Sequence, residues 1–492
     1  MRAGCRKDHL MLNQTSRPSG LNAGLRLLAL ACTLSCTLTL PAQAADDSAA
    51  LTQLRRQIDD MRQEYEARLK ALEARLEQAR SSSAASAQPV AEAAPQAAPA
   101  PAPAAQAGTS RAGNNSFNPA IAVILSGTYA GLSKDPGTWQ LNGFVPGGDE
   151  VGPGARGFSL GESEIGLSAN IDSWLYGSLT LAVSPEDTIA AEEAFVQTTA
   201  LPNGLKLKVG RFFGGQGYLN EQHAHTWDFV DAPLAYQAFF GGQYKQEGVQ
   251  AKWLLPTDQF IELGAELGNG HSFPGTDRNR NGAGAISLFA HTGGDVGDSH
   301  SWRAGVSWLR TQAQDRTWDS TDALDQEVTN AFTGQSKLWV VDGVWKWAPN
   351  GNATRTSFKL QGEYLRRTET GDLTFAFADP AGLGLTANTD GYRSAQSGWY
   401  LQGVYQFAPG WRVGLRHDQL DSGTVDYKGN AANLLATDYK PQRQSLMLDW
   451  SPSEYQRWRI QLSDDRAREG VRDNQIFLQY QMSLGAHGAH SF

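Results

Sequence analysis

Apolar and polar residues alternate over about eleven positions near the end of the chain. The even-numbered positions are apolar, with Ile476, Leu478, Tyr480, Met482 and Leu484, and the terminal Phe492 has the same parity. The other parity is mostly polar, with Gln479, Gln481 and Ser483. Successive side chains of a β-strand point to opposite faces, so this period of two predicts a strand with one apolar and one polar face.

The same alternation, bounded by turn residues, recurs along residues 117–492 and predicts sixteen strands. The strands are expected near residues 120–130, 157–170, 174–183, 191–200, 204–212, 245–255, 259–268, 283–292, 300–310, 336–347, 354–367, 397–407, 411–420, 443–450, 455–466 and 474–484. The predicted fold class is all-β, a 16-stranded antiparallel transmembrane β-barrel, because only alternate residues of such a barrel face lipid. The terminal Phe492 resembles the signal that barrel-assembly machinery recognises in Gram-negative bacteria.

Short and long connections alternate between these strands. Five short turns contain proline, at residues 201–204, 255–258, 348–351, 408–410 and 451–454. Half of the 14 tryptophans lie beside short turns, which is typical of an aromatic girdle at one membrane interface, here the periplasmic one. The long connections are predicted to be external loops, at residues 131–156, 213–244, 311–335, 368–396 and 421–442.

Residues 1–44 have the pattern of a secretory signal peptide. Several basic residues precede an apolar run from Leu27 to Leu40, and Ala42-Gln43-Ala44 follows as a cleavage site. All 3 cysteines lie before this site, so the mature chain is expected to lack disulfides. Lipidation at Cys36 is the alternative, but the preceding residues match a lipoprotein cleavage box poorly.

Two further segments separate the signal peptide from the predicted barrel. Residues 45–80 contain a heptad-type apolar seam with one stutter, which predicts a coiled coil completed by other copies of the chain, preferably as a trimer. A lone solvated helix is the alternative. Residues 81–116 are rich in Ala, Pro, Ser and Gln, a composition that predicts a semi-rigid spacer in the periplasm.

The predicted barrel is acidic. Residues 117–492 contain 29 Lys and Arg against 41 Asp and Glu, a net charge of −12. This balance argues against nucleic acid as a partner. Acidic groups that line a pore favour cations, so the composition predicts a mild cation preference.

Parity also separates the side chains expected to face lipid from those expected to face the lumen. On several predicted strands the charged residues occupy the parity opposite to the apolar ones. The pore-lining candidates are Lys206, Lys208, Glu262, Glu266, Arg412, Arg416, Arg457 and Arg459. Charges confined to one parity indicate a wet interior, and a barrel of this size is wide enough to leave a water-filled channel.

The third external loop, residues 213–244, is unusually apolar. Its aromatic side chains need a surface to pack against, which folding back into the barrel would provide as a constriction. The polar candidates of this constriction loop are Glu221, His223, His225, Asp228 and Asp231. Of these, His223, His225 and Asp228 have the donor types of a zinc site, and the alternative is that they hydrogen-bond the loop to the barrel wall.

This pattern of strands and loops resembles the general porins and, more closely, the phosphate-selective-type porins. The resemblance implies sixteen strands and a third loop that narrows the pore, with inward Arg and Lys facing acids on that loop. Some members of these families also have an N-terminal coiled coil. Phosphate specificity does not follow, because the predicted barrel has only ten lysines and is net acidic.

The sequence therefore predicts a trimeric outer-membrane porin that passes small hydrophilic solutes passively. The coiled coil is expected to fix the trimer or to engage peptidoglycan. No enzymatic activity is expected, because the histidines lie in no recognisable nucleophile motif. Two alternatives stay open: a zinc-linked uptake channel or receptor, and a structural envelope tether or adhesin.

Overall fold

The computed structural model describes Lys70 and residues 119–148, 151–185 and 188–485. Apart from Lys70, the predicted signal peptide, coiled coil and spacer lie outside the described residues, as does Phe492. No helix in the described part of the chain is long and apolar enough to cross a membrane.

The described residues from 119 onward form a closed antiparallel β-barrel, and the prediction of sixteen strands is confirmed. Consecutive strands pair, and the last strand pairs with the first, as in the pair Ser126 and Gln481. The second strand has two segments, which pair with the first strand on either side of Gly161 and Glu162. The strands are β1 (Ala120–Leu132), β2 (Gly157–Leu160 and Ser163–Asn170), β3 (Leu175–Val183), β4 (Ile189–Thr198), β5 (Leu205–Phe213), β6 (Lys245–Leu254), β7 (Phe260–Gly268), β8 (Ala285–Val296), β9 (His300–Thr321), β10 (Glu327–Trp347), β11 (Ser357–Ala378), β12 (Asn388–Ala408), β13 (Trp411–Asp426), β14 (Gln442–Ser453), β15 (Gln456–Arg466) and β16 (Asp473–Gly485).

Two of the short turns share the sequence Pro-Asn-Gly and the same backbone conformation. Asn203 and Asn350 have φ values of 60° and 51°, and the glycines that follow them have φ values of 75° and 72°. This left-handed region suits asparagine and glycine better than other residues. The two motifs follow β4 and β10, both even-numbered strands, so they lie at the same edge of the barrel.

The alternation of burial is inverted relative to that of a water-soluble protein. On β15 the apolar side chains of Trp458, Ile460 and Leu462 are 45–50% exposed, whereas Arg459 and Gln461 are at most 2% exposed. The apolar face of this strand therefore points outward and its polar face points into the barrel, with the parity that the sequence predicts.

Aromatic side chains form a row across four neighbouring strands beside the short turns. Each residue of the row pairs with the next one on the neighbouring strand. The row runs from β13 to β16 and consists of Trp411, Trp450, Trp458 and Tyr480. The rings of Trp411 and Trp450 stack with centroids 5.5 Å apart. This row agrees with the aromatic girdle predicted for one edge of the barrel.

The predicted extent of three external loops is wrong, because strands continue into them. Residues 311–335 and 368–396 consist largely of the ends of β9, β10, β11 and β12, and β13 continues to Asp426 within 421–442. The continuing strands pair with each other and enclose an apolar cluster that includes Val328, Phe332 and Leu373. Polar residues occupy both parities in much of these extensions, as in 311–317, so alternation gave no signal there.

Candidate functional site

Residues 213–244, here termed the inner segment, connect β5 to β6 and fold into the barrel. At its two ends Phe213 pairs with Lys245, and the Gly214 amide donates to the Tyr244 carbonyl oxygen at 3.1 Å. Hydrogen bonds and ion pairs join the inner segment to strands on every side, including β2, β7, β11, β13, β14 and β15. The inner segment therefore crosses the interior of the barrel.

A short helix, α1 (Leu234–Phe240), is the apolar anchor of the inner segment. All its residues are at most 2% exposed. It packs against side chains from β9 to β13: Leu309, Leu338, Val340, Leu365, Tyr400 and Leu420. Gly241 ends the helix at φ 69°, where a Cβ atom would lie 2.7 Å from the Gly147 carbonyl oxygen. Each large apolar side chain buried here contributes about 1.5–3 kcal/mol, so α1 holds the inner segment firmly against one side of the barrel.

Glu363 of β11 joins the inner segment to the wall beside α1. Its carboxylate accepts hydrogen bonds from the Leu219 amide at 2.9 Å, the Tyr236 hydroxyl at 2.9 Å and the Tyr400 hydroxyl at 2.7 Å. Three donors on one buried carboxyl satisfy a group that would otherwise be costly to bury. The position of Glu363 fixes both the start of the inner segment and its helix.

Two aspartates of the inner segment form ion pairs with arginines of the wall. Asp231 lies 2.7 Å from both Arg416 and Arg443. Asp228 lies 3.0 Å from Arg412. Among the predicted pore-lining residues, Arg412 and Arg416 thus contact two of the predicted constriction residues. The arrangement places acids on the inner segment opposite arginines on β13 and β14.

Glu221, the third acid, pairs with Lys252 and lies 3.5 Å from Arg303. Burial raises the pKa of this carboxyl, but the charges of Lys252 and Arg303 outweigh it and lower the pKa to about 2. Burial also raises the pKa of the Asp231 carboxyl, but the charges of Arg443 and Arg416 outweigh it and lower this pKa to about 2. Both carboxyls are therefore ionised at neutral pH, and their charges are compensated locally.

The remaining pore-lining candidates have separate partners. Arg457 and Arg459 both donate to the Trp227 carbonyl oxygen, at 3.2 Å and 2.5 Å. Glu266 accepts from the Gly215 amide at 2.8 Å, and Glu262 lies 3.2 Å from His291. The Lys208 ammonium lies over the Phe195 ring at 4.3 Å, and Lys206 is exposed near the start of β5. The predicted residues therefore form several groups rather than one ring.

His223 and His225 lie together against three glutamates of the wall. His225 Nδ1 lies 2.6 Å from Glu164 Oε1, and His223 Nδ1 lies 3.0 Å from Glu192 and 3.3 Å from Glu164. His223 Nε2 lies 3.1 Å from Glu193. Burial lowers the pKa of His223, but the hydrogen bonds with the glutamates outweigh it and raise this pKa well above its ordinary value. The pair of histidines thus faces carboxylates, as a metal site or an ion-paired anchor requires.

Asp228 does not join the two histidines, contrary to the predicted zinc site. Its carboxylate lies 2.5 Å from the Lys359 ammonium and accepts a hydrogen bond from Gln402 at 3.1 Å. Asp228 is close to His225 in sequence, but its partners are on β11 to β13 whereas His225 contacts Glu164 of β2. Glu164 of β2 takes the place that the prediction gave to Asp228.

The sequence-based prediction missed the glutamates at this site and Glu363. Glu192 carried a weak signal, because its neighbours of the same parity, Ala190 and Ala194, are small and apolar. Glu164 shares its parity with Glu162 and Gly166. No spacing in the sequence relates Glu164 to His225, since 61 positions separate them. Only the closure of the barrel brings these strands and the inner segment together.

Comparison with known proteins gives relatives but no assigned family. No protein-family model matches the chain. A protein of Aquifex aeolicus (strain VF5), described as uncharacterized, is 29% identical over 409 residues, which cover 77% of this chain and 80% of that one.

The chain is also similar to solved structures of bacterial outer-membrane proteins and of a porin. OmpT of Vibrio cholerae with loop L8 deleted has a TM-score of 0.45 at 11% identity, covering 75% of this chain and 99% of that one. The outer membrane channel DcaP of Acinetobacter baumannii has a TM-score of 0.45 at 13% identity, with 75% and 96% covered. The anion-selective porin from Comamonas acidovorans has a TM-score of 0.45 at 11% identity, with 75% and 99% covered.

Proposed function

We propose that the protein is an outer-membrane pore through which small hydrophilic solutes pass passively, with residues 213–244 as its constriction. One observation carries this proposal: a polar barrel interior is crossed by a segment that is fixed to the wall by ion pairs at Glu221, Asp228 and Asp231. A sixteen-stranded barrel encloses enough space for a water-filled channel beside such a segment. The proposed activity involves no chemical conversion of the solute.

The outer surface supports placement in a membrane. Outward side chains on many strands are apolar, among them Leu207, Leu263, Leu415 and Leu446. The row from Trp411 to Tyr480 suits a membrane interface, where aromatic rings are favoured. Since the N-terminal and C-terminal strands begin and end at this edge, we place it on the periplasmic side.

The proposed ion preference is mildly cationic. The net charge of −12 for residues 117–492 attracts cations toward the pore. Arginines on the wall near the constriction, such as Arg457 and Arg459, oppose this attraction. Because the acids of the inner segment are already paired, the preference is expected to be weak.

Planar-bilayer recording of the purified protein tests the proposal. We expect stepwise conductance, and a reversal potential across a KCl gradient whose sign shows a small excess of cation current. A folded protein that inserts but never conducts would contradict the pore and would favour a structural envelope tether. A strongly anionic reversal potential would retain the pore but contradict the proposed preference.

Arg457→Gln combined with Arg459→Gln is expected to increase the cation preference. Each guanidinium donates to the Trp227 carbonyl oxygen. Glutamine keeps a polar side chain at each position but removes the positive charge. The measurement is the shift of the reversal potential in the same KCl gradient. Arg472→Gln is a suitable control, because this arginine is 62% exposed and pairs with Asp464 near the outer end of β15. An unchanged potential in the double variant would show that these arginines do not face the ion path.

We further propose that the chain forms a trimer through residues 45–80. Its support is the heptad-type apolar seam, which one helix cannot bury alone. Removing residues 45–80 from the mature chain is expected to convert a cross-linkable trimer into smaller species. Removing the equally long spacer, residues 81–116, is the matched control and should leave the trimer intact. If both deletions leave the trimer unchanged, the barrel itself holds it, and peptidoglycan becomes the proposed partner of the helix.

A further inference from the structure

A group of acidic and histidine side chains lies where the inner segment meets β2 and β4. Its members are Glu162, Glu164, Glu192, Glu193, His223 and His225. Passive conduction needs no such group, because ion pairs with Arg412, Arg416 and Arg443 already fix the inner segment elsewhere. The group therefore calls for an explanation of its own.

The donor atoms of this group converge on a small volume. One atom each from Glu164, His223 and His225 lies within 4.8 Å of the other two, and the same holds for Glu162, Glu164 and Glu192. His223 Nδ1 lies 3.3 Å from Glu164 and 3.0 Å from Glu192. Bonds of about 2.0–2.1 Å to a tetrahedral zinc ion place neighbouring donors roughly 3.3 Å apart. The spacing is thus close to that of a metal site, with only small movements required.

An irregularity in β4 helps to assemble the group. Thr180 pairs with Glu193 and Leu181 pairs with Ala191, so Glu192 is an extra residue bulged out of β4. Consecutive residues of a regular strand face opposite ways, and a bulge removes this restriction. Glu192 and Glu193 can therefore both reach His223, at 3.0 Å and 3.1 Å.

The charge of the group favours a cation. The side chains of Glu164, Glu192 and Glu193 are only 4%, 2% and 12% exposed. Lys245 approaches Glu192 at 3.8 Å, and the Phe213 amide donates to Glu193 at 3.3 Å. The two imidazoles contact all three glutamates. Buried carboxylates are costly unless opposite charge compensates them. One divalent ion would supply two positive charges at the point where the carboxylates meet.

We propose that Glu164, His223 and His225 form a binding site for a divalent transition-metal ion, with Glu192 as the fourth ligand. Imidazole nitrogen with carboxylate oxygen is a donor set suited to Zn²⁺, whereas Mg²⁺ and Ca²⁺ take oxygen ligands. Two ligands belong to the inner segment and two to the wall, so the bound ion would cross-link the inner segment to β2 and β4. This site does not depend on whether the pore conducts.

Isothermal titration of the full mature chain with ZnCl₂ tests the site, in detergent and without a histidine tag. All proteins carry His487→Gln and His490→Gln, which removes the other histidine pair near the C-terminus. We expect one Zn²⁺ per chain, and no binding of Mg²⁺ at the same concentration. His223→Gln combined with His225→Gln should weaken zinc binding at least about a hundredfold, and Glu164→Gln at least about tenfold.

His271→Gln is the matched control, because His271 also faces a carboxylate, Asp277 at 3.4 Å, but is exposed in an external loop. It should bind zinc as the parent does. Absence of zinc binding by the folded parent, or equal binding by the double variant, would overturn the proposal. If the double variant does not fold, X-ray absorption spectroscopy of the zinc-loaded parent tests whether imidazole binds the zinc ion. Two imidazole ligands support the site, and a spectrum without imidazole rejects it.

Discussion

Replacing residues 215–243 by Asn-Gly is expected to raise the single-channel conductance several-fold. The inner segment crosses the interior of the barrel, so its removal widens the open cross-section available to ions. The replacement is compatible with the barrel, because Phe213 already pairs with Lys245 and Gly214 already bonds to Tyr244. A two-residue turn of this kind joins paired antiparallel strands without changing their register. The measurement is stepwise conductance in a planar bilayer.

Removal of residues 380–384, five exposed residues between β11 and β12, is the control for this experiment. It shortens the chain without touching the inner segment and should leave conductance unchanged. Correct folding of both proteins is checked by the change in electrophoretic mobility on heating that closed barrels show. A folded deletion variant with the conductance of the parent would contradict the constriction.

Asp231→Ala is expected to release the inner segment from β13 and β14. Its carboxylate lies 2.7 Å from both Arg416 and Arg443 and accepts a hydrogen bond from Gln461 at 2.9 Å. Removing one partner of a buried ion pair costs about 3–5 kcal/mol, because the remaining charges lose their compensation. We expect frequent transitions between conductance levels in single-channel records, together with a lower temperature of barrel unfolding.

Asp421→Ala is the matched control for this change. Asp421 pairs with Lys440 at 2.8 Å, but the two side chains are 44% and 54% exposed. Solvent weakens such a pair, so its loss should alter neither the conductance levels nor the unfolding temperature measurably. Steady conductance in the Asp231→Ala variant would show that α1 and the other ion pairs hold the inner segment without Asp231.

The barrel follows from local patterns that single strands carry. Alternation located all sixteen strands, because each strand within the membrane has lipid on one side and polar groups on the other. The Pro-Asn-Gly turns at residues 202–204 and 349–351 are equally local, since their backbone angles suit asparagine and glycine. β9, β11 and β13 continue beyond residues 310, 367 and 420, where the alternation of apolar and polar residues ends. Strand pairing continues through these extensions.

The candidate site was predictable only in part. The apolar composition of residues 213–244 indicated an internal position, and the charge parity of the strands indicated Arg412 and Arg416 as inward residues. Neither signal specifies a partner. The zinc ligands predicted from proximity in sequence included Asp228, whereas the barrel places Glu164 beside the histidines and Lys359 beside Asp228.

The sequence by itself determined the fold class, the number of strands and the side of each strand that is polar. These depend on the period-two pattern of neighbouring residues, which a short segment contains completely. Only the tertiary structure decided which acid meets which base, because those pairs join positions far apart in the chain. Asp231 and Arg443, for instance, meet only after sixteen strands have closed around the inner segment. The bulge at Glu192 likewise arises from strand pairing, so no pattern within residues 189–198 could have revealed it.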